Sequence, residues 1–391
     1  MISSRELPSH ADLKPYNHAV AGHDGTLCDP DGELFIKPCV QQEIDFYEKA
    51  FKDHNNFADL MPEFYGVLTL NDSTDVDPSS VTEQLPHEVL DHMSQHLKDE
   101  AVRMATEHAA KAAAGAAGPN NIKSRKIATD KSVVLENAAY GFKHPNILDA
   151  KLGQRLWADD AKQEKKDRFD KITASTTNGS HGFRIAGMRV WRGSENASEW
   201  DQEGYKIYDK DFGRLEVDKD NITQTLRKFI FNPRANIDED LGRAVANAFL
   251  NDLKRVEQVL SSVETRMYSA SLLFTFEGDG EVLRANIEQQ TVTISIPEPT
   301  KKAAQNGNHD WPHLQTSRVD SGIVLDGDGE ILNRKEAIES DEDDDFSSLP
   351  KIYSLKLIDF AHATWVPGQG PDENSLLGVR SLIKIFEELS K

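Results

Sequence analysis

The chain has 391 residues, 38% of them hydrophobic, and its 45 basic and 66 acidic side chains give a net charge of −21. This length suffices for one large domain or two to three ordinary ones, while the charge disfavours nucleic acids and anionic membranes unless a local basic patch intervenes. There is no signal-peptide core and no apolar run of about eighteen residues, and Cys28 and Cys39 are too few for a disulfide framework. We therefore expect a soluble protein of a reducing, cytosolic or nuclear compartment, with no transmembrane segment.

The first part of the chain predicts a small lobe rich in strands. Turn clusters at 22–25 (GHDG) and 29–32 (DPDG) precede an apolar run that ends in Lys37, which predicts two strands joined by a glycine-rich turn. A helix is expected from about Gln41 to Lys52. The Ala-rich segment 98–117 has high helix propensity but little to bury, so it is expected to be an exposed helix or a partly disordered insertion.

The middle of the chain alternates strands with helices. Apolar residues recur at spacings of three and four over 239–264, which predicts a helix whose stripe packs into the core. The other predicted elements are a strand at 132–135, an extended segment at 144–153, a charged helix at about 160–172, a polar loop at 173–182 and a strand at 183–191.

The C-terminal part contains a long polar segment between two predicted strands. Residues 278–350 are rich in Gly, Asn and Asp and end near the acidic run 339–345 (ESDEDDD), so we expect a solvated, disordered insertion. Strands leading at the front and helices in the middle indicate an α+β chain. The remaining predicted elements and divisions are strands at 270–277 and 352–360, a helix at about 374–389, an N-terminal lobe over 1–137 and a C-terminal lobe over 138–391.

Several common catalytic motifs are missing from the sequence. It contains no GxxxxGK[ST], GxGxxG, GxSxG, CxxC or HExxH pattern. The usual P-loop, dinucleotide, serine-hydrolase and zinc interpretations are therefore disfavoured.

Four scattered elements instead fit phosphoryl transfer, which uses a lysine, a metal and carboxylate ligands to neutralise the transferred group. The first is Lys37 at the end of its strand, where it could contact nucleotide phosphates, with Glu43 in the next helix to orient it. A lysine at a strand end is often simply exposed to solvent, so both interpretations stay open.

The second element is the pair Asp149 and Lys151. They lie two residues apart in an extended segment and therefore point to the same side. Such a pair can bind a ribose, or activate an acceptor hydroxyl while steadying phosphate oxygens. A surface ion pair is the alternative.

The third element is local positive charge. Residues 151–192 hold ten basic against five acidic side chains, a net charge of +5, and Lys165, Arg168 and Lys171 recur every three residues on the predicted helix. This stripe is either a solvated helix face or a site for a small polyanion, because it is too short for a nucleic-acid groove.

The fourth element is Asp359, at the end of an apolar strand, with His362 three residues later. Mg²⁺ prefers one or two carboxylates plus substrate phosphates, so Asp359 is a candidate ligand. His362 is a candidate contact for an acceptor phosphate, although a histidine more often makes a structural hydrogen bond.

Together these segments resemble the inositol polyphosphate kinase family. The PxxxDxKxG signature of that family stands intact as PNILDAKLG at 145–153. The first forty residues match more loosely, through AGHDG and LFIKP. Supporting segments follow in the family's order: LENAAYGFKHP, GFRIAGMRV, SLLFTFEGD and IDFAHA.

The resemblance implies a two-lobed, kinase-like α+β fold with a β-rich N-terminal lobe and ATP in the cleft between the lobes. Lys37 matches the lysine that holds ATP phosphates, and Glu43 matches its partner. Glu136 and Ala138 fall in the hinge that offers backbone groups to adenine.

The other family positions fall in the C-terminal lobe. Asp149 matches the residue bound to the ATP ribose, and Lys151 matches the lysine near the transferred phosphate. Asp359 matches the Mg²⁺ ligand, so the implied catalytic set is Lys37, Lys151 and Asp359. The implied lining of the nucleotide site is Ser271, Leu272 and Leu273, and the implied inositol-phosphate contacts are Lys151, Lys165, Arg168 and His362.

Within the family, the short segment between Lys151 and Gly182 favours the multikinase branch, which phosphorylates inositol tris- and tetrakisphosphates at the 6- and 3-positions to give the pentakisphosphate. A phosphoinositide lipid is a further implied acceptor. The acidic run is similar to fungal members with nuclear transcription-complex partners, which implies nuclear and cytoplasmic localisation. The alternatives are a hexakisphosphate kinase that makes pyrophosphates, and a non-catalytic scaffold, against which the intact charged residues argue.

Overall fold

Two five-stranded antiparallel sheets form the framework of the structure, a computed structural model that describes residues 13–16, 18, 20, 25–69, 129–295 and 349–391. The N-terminal sheet has the order β1-β2-β3-β5-β4 and the C-terminal sheet the order β11-β10-β6-β7-β8. Strands β9 and β12 pair separately. The strands are β1 (Lys14–Pro15), β2 (Leu27–Cys28), β3 (Leu34–Pro38), β4 (Phe64–Thr69), β5 (Lys131–Glu136), β6 (Pro145–Leu152), β7 (Phe183–Trp191), β8 (Tyr205–Tyr208), β9 (Thr265–Met267), β10 (Ser271–Glu277), β11 (Tyr353–Ile358) and β12 (Ala363–Trp365).

Helices cover both sheets, and most follow the periodicity of the sequence. The longest, α6, buries the predicted stripe, including Phe249 and Leu253, and Asp238 caps it by accepting a hydrogen bond from the Leu241 N–H at 2.9 Å. Phe249 packs edge to face on Phe274 of β10. The helices are α1 (Gln41–Asp53), α2 (Asn55–Ala58), α3 (Gln163–Ser175), α4 (Thr177–His181), α5 (Ile222–Ile230), α6 (Glu239–Ser262), α7 (Gly280–Ser295) and α8 (Glu373–Leu389).

Two predicted irregular segments contain helices, so those predictions are wrong in part. The polar loop expected at 173–182 is the end of α3 followed by α4. At the junction, the Thr176 hydroxyl donates to the Ile172 carbonyl of α3. Gly182, in the left-handed region, ends α4. The insertion expected from 278 begins later, because 280–295 is helical. Leu283 and Ile287 are buried one turn apart there.

The rest of that insertion and the Ala-rich segment 98–117 lie outside the described residues, as does the acidic run 339–345. Within the described residues, no helix combines the length and apolar composition that a membrane crossing requires. Cys28 and Cys39 are both free thiols.

An aromatic cluster joins α1 to the C-terminal sheet. Phe46 of α1 stacks on Phe360 and on Trp365, in each case with ring centroids 4.9 Å apart. The Leu357 N–H donates to the Leu60 carbonyl at 2.7 Å. Because Leu357 lies in β11 and Phe360 comes two residues after its end, these contacts fix α1 beside the end of that strand.

Candidate active site

The register of the C-terminal sheet sets two rows of side chains on one face. Ser271 of β10 pairs with Lys151 on one side and Ile358 on the other, and Leu273 pairs with Asp149 and Lys356. Residues two apart on a strand share a face, so Lys151, Ser271, Asp149, Leu273 and Lys356 belong to one surface.

Asp359 follows the first of these rows, directly after β11. Its φ of 68° lies in the left-handed region, which few residues other than glycine adopt. This backbone conformation costs energy, and strained residues of this kind cluster at functional sites. At Asp359 it coincides with the contact of the carboxylate with Lys37 and Lys151. The predicted strand to 360 therefore ends two residues early, at Ile358.

Lys37 reaches the same carboxylate from the other sheet. Its Nζ lies 2.8 Å from Glu43 Oε1 and 2.9 Å from Asp359 Oδ1. Glu43 stands in the first turn of α1, is 1% exposed, and also accepts a hydrogen bond from the Phe360 N–H at 3.2 Å. The interpretation of Lys37 as a solvent-exposed lysine is therefore wrong, because it is buried between two carboxylates.

Lys151 completes the cluster from β6. Its Nζ lies 3.2 Å from Asp359 Oδ2 and donates to the Ser269 carbonyl at 2.8 Å and to Ser271 Oγ at 2.9 Å. Asp149 is 3% exposed, and its Oδ1 has no hydrogen-bond partner among the described residues. Asp149 and Lys151 are therefore not a surface ion pair.

Burial and neighbouring charges shift the pKa values of this cluster in opposite directions. Burial alone would raise the pKa of Asp359, but Lys37 and Lys151 hold it well below its usual range. Burial opposes the charged form of Lys37, yet Asp359 and Glu43 raise its pKa. Burial raises the pKa of Asp149, with Lys151 opposing it. Asp359 is therefore ionised at neutral pH.

The residues predicted for the hinge lie at the end of β5. The Glu136 carboxylate is 3.1 Å from Lys351 Nζ and 3.8 Å from Lys356 Nζ. Burial raises the pKa of Glu136, but Lys356 and Lys351 outweigh it and lower the pKa. Ala138 is buried at 8% exposure. The Glu136 side chain thus ties the first sheet to β11, and its backbone N–H already donates to the Glu63 carbonyl at 2.9 Å.

Lys351 and Lys356 are not among the predicted site residues. Lys356 lies between Leu355 and Leu357 in a predicted apolar strand, and a lysine inside such a strand is a signal that a partner carboxylate lies nearby.

Helix α3 places one of its two predicted basic contacts beside His362. Lys165 Nζ lies 3.1 Å from His362 Nε2, three residues after Asp359. Arg168 is exposed, and its guanidinium lies over the ring of Phe169 at 5.3 Å. The structure therefore brings Lys165 and His362 together, while Arg168 shares with Lys165 only the ring of Phe169, whose centroid is 5.9 Å from Lys165 Nζ.

The donor set around Asp359 fits a divalent cation held mainly by a substrate. No group of three or more His, Cys, Asp or Glu side chains within the described part of the chain could hold a metal. Asp359 offers a single carboxylate, 26% exposed, between two lysines. One carboxylate completed by phosphate oxygens and water is an arrangement that Mg²⁺ accepts.

Known proteins are similar to this chain over most of its length. A family model described as inositol polyphosphate kinase matches residues 132–387. The inositol polyphosphate multikinase of Saccharomyces cerevisiae is 29% identical over 94% of this chain and 96% of its own. The inositol polyphosphate multikinase of Schizosaccharomyces pombe is 26% identical over 97% of this chain and 98% of its own length. Inositol hexakisphosphate kinase 1 of Rattus norvegicus is 28% identical over 68% of this chain and 53% of its own.

A solved structure supports the fold. The inositol phosphate multikinase from S. cerevisiae, in complex with ADP and Mn²⁺, matches with a TM-score of 0.56 and 24% identity. The match covers 92% of this chain and 100% of that one. The two-lobed, kinase-like α+β fold expected from the sequence is thereby confirmed.

Proposed function

Because the chain belongs to the inositol polyphosphate kinase family, and is thus an ATP-dependent kinase, we propose that it is a multikinase. It transfers the γ-phosphate of ATP to hydroxyls of inositol tris- and tetrakisphosphates, at the 6- and 3-positions, to give the pentakisphosphate. The observation that carries this proposal is the meeting of Lys37, Lys151 and Asp359, with the Lys165 and His362 pair beside it.

At the nucleotide end, two lysines and one carboxylate provide the charges that stabilise the phosphates of ATP. Lys37 and Lys151 exchange their ion pairs with Asp359 for contacts with the β- and γ-phosphates of ATP. Asp359 is the residue that would hold a divalent cation, which would supply further positive charge to the same phosphates. The S. cerevisiae relative crystallised with ADP and Mn²⁺ supports this use of nucleotide and metal.

At the acceptor end, Lys165 and His362 hold phosphate groups of the inositol ring. Both side chains are partly exposed, and they stand on different elements, α3 and the turn after β11. A few point charges on an open surface bind phosphates without a rigid clamp, so one site can present more than one hydroxyl to ATP. Positioning of the hydroxyl in line with the γ-phosphate supplies most of the rate.

Replacing Lys165 with alanine is expected to raise the acceptor KM about tenfold and to leave the KM for ATP within about twofold, because one phosphate contact is lost. Arg168→Ala is the matched control on the same helix, and its effect is expected to be smaller because Arg168 is exposed and points to Phe169. Steady-state kinetics with each substrate varied in turn measures both. Equal effects of the two changes would show that only the overall charge of the helix matters.

The function itself is tested by incubating the protein with Mg²⁺, ATP and a panel of soluble inositol phosphates from tris- to hexakisphosphate. Conversion of tris- and tetrakisphosphates that stops at the pentakisphosphate is the expected result. Consumption of hexakisphosphate would make the protein a pyrophosphate-forming kinase instead. No turnover of any member would contradict a kinase of this class and favour the scaffold.

A further inference from the structure

Helix α3 carries Lys165 and has no fully buried side chain and no side-chain cap at its N-terminus. Phe169 and Ile172 are half-buried, and the Thr173 hydroxyl donates to the Gln154 carbonyl at 2.6 Å. A helix of 13 residues with only half-buried apolar side chains gains little stability from the hydrophobic effect. Contacts at the surface therefore help to set the position of Lys165.

The ring of Trp157, in the segment that leads from β6 to α3, supplies such contacts. Its Nε1–H donates to Asp170 Oδ1 at 2.7 Å, and Lys166 Nζ lies 4.8 Å from the ring centroid. Residues 166 and 170 are four apart, so they share one face of α3. One ring therefore contacts the helix at two points a full turn apart, next to Lys165.

The same ring is joined to the turn that carries His362. The Arg155 guanidinium lies between two rings, 4.0 Å from the centroid of Trp157 and 4.6 Å from that of Tyr268. The Tyr268 N–H donates to the His362 carbonyl at 3.2 Å. The Arg155 backbone is held in turn, because its N–H donates to Asn374 Oδ1 at 2.8 Å.

We propose that the stack of Trp157, Arg155 and Tyr268 is a positioning unit that holds α3 and sets the separation of Lys165 from His362. Trp157 thereby determines how tightly the protein binds its polyanionic acceptor without contacting it. The inference rests on the proposed function for the identity of the acceptor, and on the geometry alone for the anchoring of α3. A cation above an aromatic face is attracted to the ring. The contact of Lys166 with Trp157 therefore attaches α3 at the surface of the protein.

The kinetic test compares substitutions that remove different parts of Trp157. Trp157→Leu removes the ring, and it is expected to raise the acceptor KM about tenfold while kcat and the KM for ATP change less than about threefold. Trp157→Phe keeps a face for both cations but loses the N–H donor, so a rise of about threefold is expected. Asp170→Asn keeps an acceptor oxygen and should resemble the wild type, whereas Asp170→Leu should resemble Trp157→Phe.

A second readout needs no substrate. Amide hydrogen exchange over 163–175 is expected to be at least about tenfold faster in Trp157→Leu than in the wild type. Trp200→Leu is the matched control, because Trp200 is also partly exposed and also donates through Nε1, to the Ser194 carbonyl at 3.2 Å. That control should leave both the exchange over 163–175 and the acceptor KM unchanged.

The two readouts separate this inference from the proposed function. If the wild type phosphorylates no inositol phosphate, the proposed function fails, and faster exchange in Trp157→Leu still supports the anchoring of α3. If the wild type is active but Trp157→Leu changes neither the exchange nor the acceptor KM, the inference is overturned. If Trp157→Leu does not fold, Trp157→Phe and Asp170→Leu decide, and wild-type exchange and KM in both would overturn it.

Discussion

Replacement of Asp359 with asparagine is expected to lower kcat by about 10³-fold or more while the protein stays folded. The carboxylate is the point at which Lys37 and Lys151 meet, at 2.9 and 3.2 Å, and it is the candidate ligand for the divalent cation. An amide provides neither the charge nor the preferred metal ligand. Turnover of an inositol trisphosphate, measured together with the circular dichroism spectrum, gives the result.

The free energy of unfolding should fall by only about 1–2 kcal/mol in Asp359→Asn, less than for a buried ion that loses its sole partner. Lys37 keeps Glu43, and Lys151 keeps Ser269 and Ser271. The pKa of Asp359 is lower in the folded than in the unfolded state, so its contribution is complete above about pH 4 and is lost as the pH falls through the folded-state pKa. Urea unfolding of both proteins at neutral and acidic pH tests the sign.

Asp240→Asn is the matched control, because this α6 side chain is 92% exposed. It should leave kcat unchanged and lower the free energy of unfolding by less than about 1 kcal/mol, because Asp240 lies in the first turn of α6 and forms only an exposed ion pair with Arg243. Full activity in Asp359→Asn would remove Asp359 from the catalytic set, and with it the assignment of the metal site.

Replacement of Glu43 with alanine is expected to lower kcat/KM for ATP about 10²-fold and to destabilise the protein by about 2–4 kcal/mol. Both effects arise because Glu43 Oε1 is shared by two donors, Lys37 Nζ at 2.8 Å and the Phe360 N–H at 3.2 Å. Without it, Lys37 is drawn to Asp359 alone, and a buried N–H beside Asp359 loses its acceptor. Steady-state kinetics and thermal unfolding measure the two effects.

Glu43→Gln separates charge from hydrogen bonding at the same position. It keeps an acceptor oxygen for the Phe360 N–H, so its loss of stability should be the smaller. Its loss of kcat/KM should stay near that of Glu43→Ala, because Lys37 still lacks the charge of Glu43 and is drawn to Asp359 alone. Glu48→Gln, on the exposed side of α1, is the control and should behave as the wild type. Wild-type kcat/KM in Glu43→Ala would mean that Lys37 needs no partner.

Periodicity in the sequence predicted those elements that bury an apolar face. The stripe of α6 appears where the spacing of three and four places it, and β7 appears as the apolar strand predicted at 183–191, with all nine residues buried. Helix α7 was missed, although Leu283 and Ile287 are spaced by one turn, because the polar composition around them outweighed a two-residue signal.

The candidate site divides in the same way. The local sequence indicated Lys37 and Asp359, because each is a charged residue at the end of an apolar strand, and Asp149 with Lys151, because residues two apart in an extended segment share a side. It left two alternatives open: a solvent-exposed lysine for Lys37, and a surface ion pair for Asp149 and Lys151. The structure excludes those alternatives, because Lys37 and Asp149 are buried. Their burial is produced by elements distant in sequence, so the local sequence did not reveal it.

The sequence by itself therefore determined which residue types are available, the strands and helices that carry them, and the family to which the chain belongs. Only the tertiary structure decided which charges meet. Lys37 and Asp359 are separated by 322 positions, and the stack of Trp157, Arg155 and Tyr268 joins two segments more than a hundred positions apart. Contacts of this kind follow from strand register and helix packing, which no local window of sequence contains.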